Sequence, residues 1–254
     1  MLLTEEQEKI RDNAREFAQR CLAPHSAEWD RQAEFPRAAL RELGKRGFMG
    51  MTVPPEWDGV GADYIAYALA LEEVAAGDGA VSTIMSGHNS VGCMPLVEYG
   101  TPAQKEKYLR PMARGELLSA FCLTEPQGGS DAGAIRTRAA YRRGTYTLNG
   151  TKQFITSGKN ADIALVFAAT DLGQGKRGIS CFIVETKQSG YCVGRIESKM
   201  GQHASDTCEI NFDELSVPEE NRLGAEGQGY RIALANLEGG RIGIAAQAVG
   251  MARA

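Results

Sequence analysis

The pattern of hydrophobic and polar positions divides the chain into three regions. The first, through residue 120, is typical of helices. Thr4 and Gln7 have the spacing of a capping box ahead of a helix that runs through Arg20. Residues 63–76 are rich in helix formers, and Thr101-Pro-Ala-Gln104 pairs a capping residue with a proline at the next position. This pattern predicts an N-terminal helical domain over residues 1–120.

The second region, residues 121–226, is typical of β-structure. In residues 208–213, Cys, Ile and Phe alternate with Glu, Asn and Asp, the period of two expected of a half-buried strand. Residues 162–170 and 179–186 are further apolar, β-prone runs. Asn149-Gly150 lies between two β-prone runs and predicts a hairpin turn. We therefore expect a central antiparallel β-domain, a small barrel or sandwich.

The third region, residues 227–254, returns to helix after Gly229 and reaches Ala254 without a C-terminal glycine or proline signal. So apolar a helix requires partners, and we expect it to be the first helix of a truncated C-terminal helical bundle. The fold class predicted is α+β, with a helical domain, a β-domain and this bundle in that order.

Composition narrows the functional classes. The chain has 254 residues, 43% hydrophobic and 24% charged, with a net charge of −4, values ordinary for a globular protein. No basic stripe indicates nucleic-acid binding, and no apolar run approaches the length of a membrane span. The six cysteines and three histidines show no metal-ligand spacing. These features predict a cytoplasmic protein with reduced thiols and no metal.

Candidate chemistry centres on residues 121–134, FCLTEPQGGSDAGA, where an apolar run meets adjacent glycines and a hydroxyl. No Lys-Ser or Lys-Thr follows the glycines, so the segment is not a P-loop. Gly128 and Gly129 are adjacent and precede β-structure, so it is not a dinucleotide-binding fingerprint either. Glu125 and Asp131 are expected to brace the turn by accepting hydrogen bonds from backbone amides.

The chain resembles the acyl-CoA dehydrogenase family through ordered motifs along its whole length. Residues 122–131 match the family's first signature. The other matching motifs, in order along the chain, are Pro54–Gly61, His88–Ser90, Tyr108–Pro111, Lys152–Gly158, Lys199–Gly201, Ser205–Thr207 and Val217–Asn221. The resemblance implies FAD as cofactor and α,β-dehydrogenation of an acyl-CoA thioester. It also implies an electron-transferring flavoprotein as electron acceptor and assembly into a homo-oligomer, a tetramer. The LEGGRIGIAAQAVGMA stretch is most similar to short-chain and general bacterial members.

The resemblance also implies which residues contact the cofactor and the substrate. The implied FAD contacts are Phe121, Cys122, Leu123, Thr124, Gly129, Ser130, Phe154, Ile155 and Thr156, with the Thr156 hydroxyl near flavin N5. The implied substrate contacts are Ser130, Lys176, Glu238, Gly239, Gly240 and Arg241. For Lys176 a solvated basic loop, and for Arg241 an interface ion pair, are equally open.

The resemblance leaves the catalytic base unassigned. Most relatives carry it in the last helical domain, beyond Ala254, and one subgroup carries it at the position of Gly240. Glu238 lies about 200° around a helix from residue 240, so we do not expect it to replace that base. Two alternatives stay open: a flavin oxidase or monooxygenase on the same fold, and a non-catalytic binding protein derived from the family.

Overall fold

The computed structural model describes residues 2–254, and its first half is helical, as predicted. Thr4 Oγ1 accepts from the Gln7 amide at 3.2 Å while Gln7 Oε1 accepts from the Thr4 amide at 3.0 Å, which confirms the capping box. The second capping box, at Thr101 and Gln104, is confirmed in the same way. The helices are α1 (Glu5–Phe17), α2 (Ala23–Gln32), α3 (Arg37–Lys45), α4 (Tyr64–Gly77), α5 (Gly79–Gly87), α6 (Met94–Tyr99), α7 (Pro102–Gln104) and α8 (Arg110–Ala113).

Three of these helices continue into π-helical turns, at Ala18–Leu22, His88–Cys93 and Lys105–Leu109. Such turns interrupt an α-helix locally and are frequent at functional sites. The turn at His88–Cys93 follows α5 directly and faces the sheet. Gly92 is required there because a Cβ at this position would lie 2.0 Å from Ser119 Oγ.

The central region forms one eight-stranded sheet. Its strands are β1 (Ser119–Cys122), β2 (Arg138–Arg142), β3 (Thr145–Thr156), β4 (Ile163–Ala169), β5 (Ile179–Glu185), β6 (Tyr191–Ile196), β7 (Thr207–Pro218) and β8 (Arg222–Leu223). Their order is β6-β7-β3-β2-β4-β5-β8, with β1 paired to β4. The sheet is mixed rather than purely antiparallel, because β1 and β2 each pair with β4 in parallel.

The core lies on both sides of β4 and β5. Ile163, Leu165 and Phe167 pack towards the helices, whereas Ala164 and Val166 face the cluster enclosed by β3 and β7. Strands covered on both faces read as continuous apolar runs, which is why residues 162–170 and 179–186 lack alternation. β7 shows the predicted alternation, with residues 208, 210 and 212 buried and residue 213 exposed.

The hairpin predicted at Asn149-Gly150 is wrong. Both residues lie inside β3, where a β-bulge shifts the register between Leu148 and Gly150. The side-chain amide of Asn149 is hydrogen-bonded to β7, because the backbone N–H of Glu214 donates to Asn149 Oδ1 at 2.9 Å. The β2–β3 hairpin instead turns at Arg143-Gly144, whose φ values of 49° and 84° suit a two-residue turn.

The helical return after Gly229 is confirmed, and the last helix, α9, spans Gly229–Arg253. It packs against α4, α5 and the π-helical turn at His88–Cys93. The fold thus has the predicted succession of helices, sheet and helix. None of the helices within residues 2–254 is long and apolar enough to cross a membrane.

Candidate functional site

A cavity of about 930 Å³ lies between the sheet and the helices. We call its two sides the β-wall and the helical wall. The β-wall consists of Ser119, Ala120, Phe121, Leu123, Thr124, Gly129, Ser130, Ala132, Phe154, Ile155, Thr156 and Ser157. The helical wall consists of Thr83, Ile84, Ser86, Gly87, His88, Ser90, Val91, Gly92, Leu234, Leu237, Gly240, Arg241, Ile244, Ala245 and Ala248.

The end of β3 is bent into the cavity by a second bulge. The register with β7 shifts between Lys152 and Ile155, and Phe154 has φ 58°. A positive φ is strained for an aromatic residue and is typical of functional sites. The bend leaves the Phe154 ring 58% exposed on the cavity side. Thr156 and Ser157 follow it into the lining.

The glycine-rich loop that follows β1 is braced from behind by a buried ion pair. The side chains of Lys152 and Glu125 are 0% and 3% exposed, with Nζ and Oε1 2.7 Å apart. The Glu125 carboxylate also accepts from the backbone amides of Arg136 at 2.7 Å and Thr137 at 3.1 Å. The predicted bracing role of Glu125 is confirmed. Asp131 has the same role on a smaller scale, since its Oδ1 accepts from the Gly133 amide at 3.2 Å.

Charge and hydrogen bonding keep this carboxylate ionised. Burial alone would raise the pKa of Glu125, but the nearby ammonium of Lys152 and the hydrogen bonds outweigh burial and hold that pKa below its usual value. Lys152 Nζ also donates to the Leu123 carbonyl oxygen at 3.1 Å. The ion pair therefore contacts the backbone immediately before Thr124, on the side away from the cavity.

His88 connects the two walls. Its Nε2 lies 3.0 Å from the Met112 carbonyl oxygen, and its Nδ1 lies 3.3 Å from the Ser119 amide nitrogen. Burial lowers the pKa of His88 to about 4. The ring is therefore neutral near pH 7, with Nε2 donating to Met112 and Nδ1 accepting from Ser119. His88 belongs to the family motif His88–Ser90, but the sequence alone indicates no role for it.

Most residues expected to contact cofactor or substrate line this cavity. On the β-wall they are Phe121, Leu123, Thr124, Gly129, Ser130, Phe154, Ile155 and Thr156, and on the helical wall they are Gly240 and Arg241. No hydrogen bond joins the hydroxyls of Thr124, Ser130 and Thr156 to another group in residues 2–254, so all three are available to a ligand.

The other predicted site residues lie outside the lining. The Cys122 thiol is in the core of the sheet, and burial raises its pKa to about 12. Lys176 lies over the Tyr230 ring, 5.0 Å from its centroid, and close to Gly133. Gly239 lines a separate, smaller cavity beside Tyr64. Glu238 is exposed on α9 and lines neither cavity.

The chemistry of the lining is nearly free of charge. Among residues 2–254, no aspartate or glutamate lines the large cavity, and Arg241 carries its one permanent charge. The rest consists of small hydroxyl side chains, glycines, apolar side chains and the neutral His88. Such a lining suits a large, mostly flat ligand with polar edges.

Comparisons with known proteins agree with this arrangement. Residues 4–116 match the model of the acyl-CoA dehydrogenase N-terminal domain, and residues 120–215 match that of the middle domain. An acyl-CoA dehydrogenase of Bacillus subtilis (strain 168) is 48% identical over 254 residues, which are 100% of this chain and 67% of that protein.

Two solved structures have nearly the same fold. One is butyryl-CoA dehydrogenase from Megasphaera elsdenii, with a TM-score of 0.96, 42% identity, and coverage of 100% of this chain and 67% of that chain. The other is described as an electron transferring flavoprotein of Acidaminococcus fermentans, with a TM-score of 0.97, 46% identity and the same coverage.

The helix–sheet–helix fold and its nearly uncharged cavity define a protein of the acyl-CoA dehydrogenase type. The chain belongs to the acyl-CoA dehydrogenase family, since the two family models together match most of its residues. It spans about two thirds of the length of the relatives described above.

Proposed function

We propose that this chain binds FAD and a short-chain acyl-CoA thioester in the large cavity and serves α,β-dehydrogenation of that thioester. The observation that carries the proposal is the β-wall. It brings eight of the nine residues implied as flavin contacts, all except Cys122, to one side of one cavity. The family membership of the chain supplies the reaction class.

The residues present fit FAD. An isoalloxazine ring has hydrogen-bonding edges and an apolar face, and the β-wall offers the hydroxyls of Thr124, Ser130 and Thr156 beside the exposed ring of Phe154. Gly129 leaves room for close approach, because a Cβ there would meet only Thr124 Cγ2, at 3.9 Å. Bound FAD would supply hydride acceptance, so the protein's own part is to bind, orient and exclude water.

The helical wall suits the acyl group. Ile84, Val91 and Ile244 provide apolar surface, while Gly87 leaves open space, since nothing lies within 4 Å of a Cβ built there. Similarity to a butyryl-CoA dehydrogenase supports a short acyl chain. No carboxylate in residues 2–254 lines the cavity, so removal of the α-proton requires a general base from outside this lining.

Three further features belong to the same proposal. Similarity to a structure described as an electron transferring flavoprotein supports such a protein as electron acceptor. We also propose that Lys176, which lies beside Gly133 and Tyr230 outside the cavity lining, meets a phosphate of the thioester's nucleotide portion. Ile242 and Val249, 40% and 55% exposed on one side of α9, support assembly into a dimer or tetramer.

FAD and ligand titrations of the 254-residue chain test the proposal. We expect saturable FAD binding with quenched flavin fluorescence, and a further change in visible absorbance on adding butyryl-CoA that free CoA does not produce.

Gly129→Leu should abolish FAD binding, because its side chain enters the cavity. The matched control is Gly201→Leu, at an exposed position where nothing lies within 4 Å of a Cβ, and it should bind FAD as the unaltered chain does. Absence of FAD binding by the unaltered chain, or equal binding by both variants, would refute the proposal.

A further inference from the structure

Lys152 occupies a position where both ligand-facing segments of the β-wall meet. It is the last residue of β3 in regular register before the bulge that presents Phe154 and Thr156 to the cavity. Its ammonium reaches behind the other segment, where it donates to the Leu123 carbonyl oxygen at 3.1 Å and to Glu125 at 2.7 Å. The next residue, Gln153, donates its amide to the Thr124 carbonyl oxygen at 2.9 Å.

Glu125 extends this connection to the far end of the glycine-rich loop. Its carboxylate accepts from the amides of residues 136 and 137, while its backbone pairs with Gly128 in both directions, at 3.1 and 3.0 Å. Gly129 and Ser130, which line the cavity, are therefore enclosed between two anchored points. One charged pair thus fixes the start, the turn and the end of the loop.

The cost of such a pair is large, because both groups have lost their water. Hydrophobic residues of similar size often stabilise a core equally well. Lys152 also neither lines the cavity nor contacts solvent. A role in stability alone does not account for hydrogen bonds that join one charged pair to both the start and the end of one loop of the β-wall.

We propose that Lys152 and Glu125 are positioning residues, whose ion pair holds residues 123–130 and 154–157 in the relative geometry that binds FAD. The inference rests on the proposed function for its ligand. It goes beyond it by assigning a role to two residues that do not touch the ligand. Neither residue supplies or accepts a proton in the reaction.

Substitution of each partner tests the proposal. Lys152→Met removes both donated hydrogen bonds but keeps a side chain of nearly the same length. We expect FAD affinity to fall by up to about 100-fold, because a displacement of about 1 Å in supporting groups can have an effect of that size. The circular dichroism of the bound flavin should change as well. Glu125→Gln is isosteric and should act in the same direction with a smaller effect. If Lys152→Met does not fold, the FAD affinity of Glu125→Gln tests the positioning role by itself.

The matched control is Glu73→Gln. Glu73 is a buried carboxylate, 4% exposed in its side chain and paired with Arg15 and Arg253, and it lines a different cavity. Its loss should lower thermal stability without altering FAD affinity or flavin circular dichroism. If the Glu73 variant weakens FAD as much as the Lys152 and Glu125 variants do, or if all three leave it unchanged, the positioning role is refuted.

Hydrogen exchange of the FAD-free protein separates this inference from the proposed function. We expect faster exchange at residues 123–130 and 154–157 in Lys152→Met or Glu125→Gln than in the unaltered chain, and unchanged exchange there in Glu73→Gln. If the unaltered chain fails to bind FAD, the proposed function falls, and the exchange result still decides whether the pair holds the two segments together. Unchanged exchange in both variants of the pair would refute it.

Discussion

The β-wall and the helical wall of the cavity differ in how their shape is maintained. The β-wall is held from behind, by the Lys152–Glu125 pair, by β7 and by the backbone bonds of the glycine-rich loop. Its strained Phe154 persists because these contacts over-determine the local backbone. The lining residues themselves are left free to contact a ligand.

The helical wall is held mainly by close packing of α9 against α4 and α5. A Cβ at Gly243 would lie 2.2 Å from Ser86 Oγ, and one at Gly250 would lie 2.2 Å from the Glu72 carbonyl oxygen. Another side of α9 exposes apolar residues, among them Ile242 and Val249, which are seven positions apart on the helix. The comparison shows that a buried ion pair braces one wall, whereas close backbone packing, joined by hydrogen bonds from Gln247 to α5, holds the other.

The largest expected effect is on the free energy of unfolding, and it differs between the ion pairs of two buried carboxylates, Glu125 and Glu73. Lys152→Met leaves Glu125 buried without its counter-ion, and we expect the free energy of unfolding to fall by about 3–5 kcal/mol. Glu73→Gln should cost less, about 1–2 kcal/mol, because Arg15 and Arg253 are each 42% exposed in their side chains and regain water. Urea unfolding curves measure both values. Equal losses would show that burial of the partner does not distinguish the two pairs.

The next effect contrasts two glycines within α9. Gly250→Ala should lower the free energy of unfolding by about 1–3 kcal/mol, because its Cβ would overlap the α4 backbone at the Glu72 carbonyl oxygen. Gly240→Ala should raise it by about 0.5–1 kcal/mol, because its nearest neighbour is Ser90 Oγ at an ordinary 3.6 Å. Thermal unfolding of the two variants shows the ranking. The reverse order would mean that α9 does not pack as closely as described.

Local signals in the sequence predicted much of the fold. The capping boxes at Thr4 and Thr101 depend only on residues three positions apart, and both form. The alternation in β7 predicted its buried face. The apolar runs of β4 and β5 predicted strands because such runs suit a sheet that is covered on both faces.

Features set by partners distant in sequence could not be predicted in this way. Asn149-Gly150 has a local preference for a turn, but pairing with β7 on both sides of the dipeptide keeps it within a strand. The positive φ of Phe154 depends on the same partner strand. The burial of Lys152 depends on Glu125, 27 residues earlier. The family resemblance predicted which segments line the cavity, but only the folded structure shows which contacts hold those segments in place.

The smallest expected effect concerns the loop between β6 and β7, which contacts both the helical wall and α2. In this loop Gln202 Oε1 accepts from Thr83 Oγ1 of the helical wall, while His203 binds α2. His203 Nδ1 lies 2.9 Å from Asp30 Oδ2, and its Nε2 lies 2.8 Å from the Lys199 carbonyl oxygen. Both acceptors can be satisfied at once only by the protonated ring. Hydrogen bonding to Asp30 and then to the Lys199 carbonyl oxygen raises the pKa of His203, against the opposing effects of burial and of the Lys199 charge.

Because the folded pKa of His203 lies above its unfolded value, its stabilising contribution is full below that unfolded value, about 6.5. The contribution is lost as the pH rises through the folded pKa. The pKa of Asp30 is lowered by the same hydrogen bond, so its contribution is lost only in acid, as the pH falls through its folded value. We expect His203→Gln to lower the melting temperature at pH 5.5 and to leave it nearly unchanged at pH 8.5, measured against the unaltered chain at each pH. A difference that is the same at both pH values would show that the loop is held against α2 by the shape of the ring rather than by its charge.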